Sequence, residues 1–132
     1  MKQFSIFACM ILVLICAACS STDAADSGTP LLPSGDASRG ATLFTQSISG
    51  APSCNTCHTV DGSNLVGPSL KGFAAVAATR VEGMSASDYA HNSIVKPAAY
   101  VVSGFPNLMY PQYAQQLTPQ QTADLIAYLL TL

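Results

Sequence analysis

Two cysteines and a histidine, Cys54, Cys57 and His58 in "SCNTCHTVDGSNLVGPSL" (residues 53–70), constrain this chain more than any other feature. Thiols at i and i+3 lie on one side of a helical turn, and His58 leaves from the end of it. Zinc, a redox dithiol and a covalently held haem can each use such a turn. Each needs a different setting, so the remaining sequence has to choose among them.

The two ends narrow the choice. Met1 and Lys2 precede the apolar run "FSIFACMILVLICAAC", which reaches Cys19. A short positive start, an apolar stretch and small residues before a break read as a secretory signal over residues 1–18, too short for a comfortable membrane span. The tail "ICAAC" also resembles a bacterial lipobox, with Ala17 and Ala18 before a lipid-bearing Cys19. The expected product is an exported, lipid-anchored protein, periplasmic or on the outer face of the cytoplasmic membrane. Removal of residues 1–18 leaves 114 of the 132 residues, enough for one modest core. It also removes Cys9 and Cys16 and commits Cys19 to lipid. Only Cys54 and Cys57 then remain as thiols, which is no disulfide scaffold. Arg39, Lys71, Arg80 and Lys96 are the basic residues left, against seven acidic ones, and they form no basic stripe. A nucleic-acid partner is not expected.

Residues 19–35, "CSSTDAADSGTPLLPSG", have little to bury and read as a flexible tether. The domain is expected over residues 36–132. "DASRGATLFTQSI" (36–48) predicts a first helix. "SASDYAHNSIVKP" predicts a second, with a Ser cap, apolar Tyr89, Ala90 and Ile94 at helical spacing, and Pro97 to stop it. "VVSGFPNLMYPQY" carries too many Gly and Pro for regular structure. The last helix has the clearest signal: Thr118 as N-cap, Pro119 at N1 and Gln121 at N3 of a capping box. Leu125, Tyr128, Leu129 and Leu132 then fall at i, i+3, i+4 and i+7. The expected fold is small and all-α, with long loops and no strand.

Against that frame, structural zinc is poorly served. It needs four ligands, neighbouring Cys57 and His58 would strain to share one tetrahedral ion, and only His91 could add a fourth donor. A thioredoxin-type dithiol wants a βαβ setting, and no strand signal precedes Cys54. C-x-x-C-H is the attachment pattern of c-type haem: each thiol bonds one vinyl group, and His58 ligates the iron. Attachment outside the bacterial cytoplasm agrees with the export signal.

With these residues in place, the chain resembles a single-haem class I cytochrome c over about residues 36–132. "RGATLF" is similar to the family's first helix, which implies that Gly40 and Phe44 cross the last helix near Tyr128. "CNTCHTVDG" with "GPSLKG" resembles the haem-binding segment, and "LTPQQTADLIAYLLTL" the C-terminal helix. "SIVKPAAYVVSGFPNLM" is similar to cytochrome domains of bacterial respiratory complexes. The resemblance implies that the Pro68 carbonyl holds the His58 ring and raises its basicity. The sixth iron ligand has three candidates, Met84, His91 and Met109. The family places its ligand in the loop before the last helix, which selects Met109, although this chain has Met109-Tyr110-Pro111 where the family usually has Met-Pro. Arg80 is a candidate neighbour for a haem propionate.

His/Met ligation closes both axial positions, leaves no site for a small-molecule substrate, and points to one-electron transfer. The implied protein is a membrane-tethered carrier in a respiratory or photosynthetic chain, or a cytochrome subunit of a complex, whose partners are redox proteins. The rivals are a haem enzyme of peroxidase type and a haem-based sensor, both of which need an open sixth position.

Overall fold

A computed structural model describes residues 32–132. The expected signal over residues 1–18, Cys19 and most of the tether lie outside the described residues. Those described form five α-helices: α1 (Ala37–Phe44), α2 (Phe73–Arg80), α3 (Ala86–Val95), α4 (Tyr113–Gln116) and α5 (Pro119–Leu129). A single 3-10 turn spans Cys54–Thr56. Among the described residues there is no strand, only an isolated bridge between Ile48 and Ala51. No helix there is long and apolar enough to cross a membrane.

Local chemistry accounts for the helix ends. The Asp36 carboxylate accepts from Ser38 N at 2.8 Å and Arg39 N at 3.1 Å, capping α1. This helix stops at Phe44, short of the expected Ile48. Thr45 turns its hydroxyl back to the Thr42 carbonyl at 3.0 Å, and Ser49 and Gly50 then adopt positive φ, reversing the chain. Ser85 and Asp88 bond reciprocally at the start of α3, which ends at Val95, two residues before Pro97. The capping box of α5 is present: Gln121 N donates to Thr118 Oγ1 at 3.2 Å, and Thr118 N to Gln121 Oε1 at 2.9 Å. Helix α2 has no sequence cap and escapes pattern reading; its alanines favour helix over any alternative.

The fold is closed by α1 crossing α5. A Cβ on Gly40 would collide with the Asp124 carbonyl oxygen and come within 2.7 Å of Tyr128 Cβ, so the backbones touch there. Phe44 and Tyr128 then meet, ring centroids 5.5 Å apart. Beside this contact, Asp124 is buried at 2% exposure. Its carboxylate accepts from Arg39 Nε at 2.8 Å, Arg39 Nη2 at 2.9 Å, Asp36 N at 2.8 Å and Gln120 Nε2 at 2.9 Å. The hydrogen bonds from Arg39, ahead of those from Asp36 and Gln120, hold this carboxyl well below the usual carboxylate range. The segment just ahead of Asp36 also packs on the fold. Leu32 packs on the core, Gln120 Nε2 donates to the Ser34 carbonyl at 2.9 Å, and Gly35 lies against Ala123. Gly35 can approach that closely because it lacks a side chain, a property that composition alone reads as tether.

Candidate functional site

The Cys54–Thr56 turn is closed by Cys57 N and His58 N, which both donate to the Cys54 carbonyl, at 3.1 and 3.0 Å. Cys54 and Cys57 therefore bracket one turn, and His58 emerges from its end. Both cysteines are free thiols and half-buried, and burial pushes the Cys54 thiol up to about 11.

The following loop folds back onto this turn. Gly67 N donates to the Cys57 carbonyl at 2.9 Å and Leu70 N to the Thr59 carbonyl at 2.8 Å. The intervening Pro68 carbonyl meets His58 Nδ1 at 2.8 Å. A carbonyl oxygen only accepts, so Nδ1 carries a proton, and in the neutral ring Nε2 keeps its lone pair. The ring is also packed from one side. A Cβ on Gly67 would sit 2.8 Å from His58 Nδ1 and 2.9 Å from Nε2, closer than atoms approach without a bond. Sequence reading noticed the Gly-Pro pair but missed Gly67 as a wall of the His58 site. Its signal was present, since glycine is the residue that lets backbone lie flat on a ring.

Cys54, Cys57 and His58 open into a cavity holding about 1060 Å³ of atom-free space, its mouth to solvent included. Phe73, Tyr89 and Leu125 contribute to its apolar lining, and no Asp, Glu, Lys or Arg takes part. Met109 lines it too, from the loop between α3 and α4. The other two candidate ligands do not. Met84 is half-buried with its Sδ taking a hydrogen bond from Asn92 Nδ2 at 3.6 Å. His91 is on α3 and off the cavity, its Nδ1 buried without a partner. Arg80, at the end of α2, has a buried Nε that likewise has no partner. Among the described residues no three His, Cys, Asp or Glu side chains group as a metal site.

Tyr113, which the sequence offers only as pocket packing, also carries a polar contact. It is 7% exposed, lines the cavity, and donates its hydroxyl to the Pro52 carbonyl at 2.7 Å. Burial, ahead of the nearby thiols, pushes that hydroxyl well up, so it stays a donor at neutral pH.

The residues fit a haem. Two thiols on one turn, an imidazole with its Nε2 lone pair free, and a thioether share one apolar cavity. Comparison with known proteins agrees. The model of the cytochrome c family matches residues 37–132. A cytochrome c of Theileria parva is 35% identical over 113 residues, covering 75% of this chain and 88% of that protein.

Proposed function

Because this chain belongs to the cytochrome c family, whose members carry electrons on covalently bound haem, we propose that it holds one haem c with His58 and Met109 as axial ligands. Cys54 and Cys57 form the two thioethers. A lipid on Cys19 keeps the domain at the outer face of the cytoplasmic membrane, where it passes electrons between redox proteins of a respiratory or photosynthetic chain.

The observation that carries this reading is the company Met109 keeps. Of the three candidate sixth ligands, it alone shares the cavity with Cys54, Cys57 and His58. When bound, haem supplies the one-electron iron couple. The chain's own residues do the rest. The Pro68 carbonyl fixes the orientation of the His58 ring. A Met109 thioether bound to the haem iron would favour its reduced form and raise its potential. Apolar walls exclude water, so little solvent has to reorganise when the charge changes.

A peroxidase or a sensor requires an open sixth position, and a peroxidase also an acid–base group beside it. His91, the remaining histidine, is off the cavity. The deciding experiment adds carbon monoxide to the reduced protein. The native protein should bind none at neutral pH, and Met109→Ala should bind it readily and lose the methionine–iron absorption band of the oxidised form. Ready binding by the native protein would favour the open-site rivals.

A further inference from the structure

Met109 lies in a long stretch without regular structure, between the end of α3 at Val95 and the start of α4 at Tyr113. Something has to hold that loop over the cavity. The backbone bonds there are short-range: Phe105 N to the Val102 carbonyl, Leu108 N to that of Pro106, and Leu117 N to that of Tyr113. Tyr113 Oη is the exception. It donates to the Pro52 carbonyl at 2.7 Å, across 61 positions of sequence. Pro52 stands two residues before Cys54, at the entrance to the thiol-bearing turn.

Tyr113 also reaches the other way. Its ring meets that of Tyr110 edge to face, centroids 5.2 Å apart at 72°. Tyr110 follows Met109 directly, and its own hydroxyl donates to Gln112 Oε1 at 3.0 Å. A continuous path therefore runs from Met109 through the Tyr110 ring and the Tyr113 ring to Pro52. Tyr110 is the residue that separates Met109 from Pro111, so the extra side chain is the one that engages Tyr113.

We propose that Tyr113 is a positioning residue, a clasp that holds the Met109 loop against the haem-attachment turn and sets how readily Met109 is displaced from the iron. The clasp rests on the His58/Met109 reading for its effect on the iron, and on the geometry alone for its effect on the loop. A buried phenol hydroxyl must find an acceptor, and it loses more by going unpaired than an apolar ring does. Swinging Met109 away drags Tyr110 off Tyr113 or pulls Tyr113 off Pro52. Either movement costs a contact that the loop does not replace.

The test compares Tyr113→Phe, Tyr110→Leu and, as a control of stability elsewhere, Arg39→Gln, all as haem-loaded protein. Two quantities are read: the affinity of the oxidised protein for imidazole, which must displace Met109, and amide hydrogen exchange over residues 100–112. In Tyr113→Phe and Tyr110→Leu, imidazole should bind roughly 3- to 10-fold tighter, as expected for losing one contact of ordinary net strength, and exchange should quicken by a similar factor. Arg39→Gln should lower thermal stability and leave both quantities unchanged. Unchanged exchange in Tyr113→Phe, or an equal rise in Arg39→Gln, overturns the clasp. If the native protein lacks a methionine–iron band, the ligation reading fails instead, and exchange still decides the clasp.

Discussion

His58 Nδ1 and the Pro68 carbonyl oxygen lie 2.8 Å apart, and Gly67, the residue before that proline, presents bare backbone to the same ring. One side chain is thus oriented by its neighbour's carbonyl and walled by its neighbour's missing Cβ. The pairing makes Gly67 testable. Gly67→Ala must push the imidazole or the 67–70 backbone aside, and overpacking of this kind costs about 1–3 kcal/mol. Denaturant unfolding should report that loss, and the yield of haem-loaded protein should fall. A variant with native stability and native spectrum would refute the wall.

Covalent attachment gives a direct chemical test. Cys54 and Cys57 bracket one turn beside the cavity, so haem should remain with the denatured polypeptide through acid–organic extraction. Cys54→Ala should leave at most one thioether and a lower yield of folded protein. Extraction of haem from the native chain would contradict c-type attachment.

Acid stability should depend on Asp124. Its folded-state pKa lies below the unfolded value, mainly through the Arg39 hydrogen bonds, so it contributes stability above the ordinary carboxylate range. That contribution is lost as pH falls from about 4 downward, when protons bind the unfolded chain first. Asp36, lowered chiefly by the Ser38 hydroxyl, adds to the same trend. Asp124→Asn should therefore melt at a lower temperature at neutral pH and show a shallower decline of melting temperature below pH 4. Parallel curves for the two proteins would rule out this role.

Partner docking should be nearly insensitive to salt. No charged residue of the Asp, Glu, Lys or Arg type lines the cavity, and Leu65 and Val66, each 50% exposed, belong to the loop beside it. Electron-transfer rates with the natural partner should change by no more than about two-fold between low and physiological ionic strength. A many-fold loss would reveal electrostatic steering. Cys19→Ser should release the protein from membranes, because stable anchoring needs the acyl chains.

The sequence was most informative where a local rule governs. The α5 cap is written in Thr118, Pro119 and Gln121, and C-x-x-C-H names its own cofactor. The all-α fold was legible in the helix signals, and the family resemblance implied the Gly40–Tyr128 crossing. Less legible were features made by close approach. Gly35 looked like tether composition, yet its bare backbone packs on Ala123. Gly67 looked like loop, yet it faces an imidazole. Helix α2 lacked a cap, and the Tyr113–Pro52 bond joins residues 61 positions apart, a separation no periodicity encodes.

The fastening of Ser34 and Asp36 to Gln120 and Asp124 has a mechanical consequence. A pull on the chain from its N-terminal side reaches this fastening before it reaches α1. The load falls first on hydrogen bonds between the incoming segment and α5, at the edge of the α1–α5 crossing. Leu125 and Leu129, which form part of the cavity wall, stand on the same helix but take no part in that fastening. The arrangement acts as a strain relief: tension from the N-terminal side is absorbed at the hem of the fold, and the cavity wall is spared.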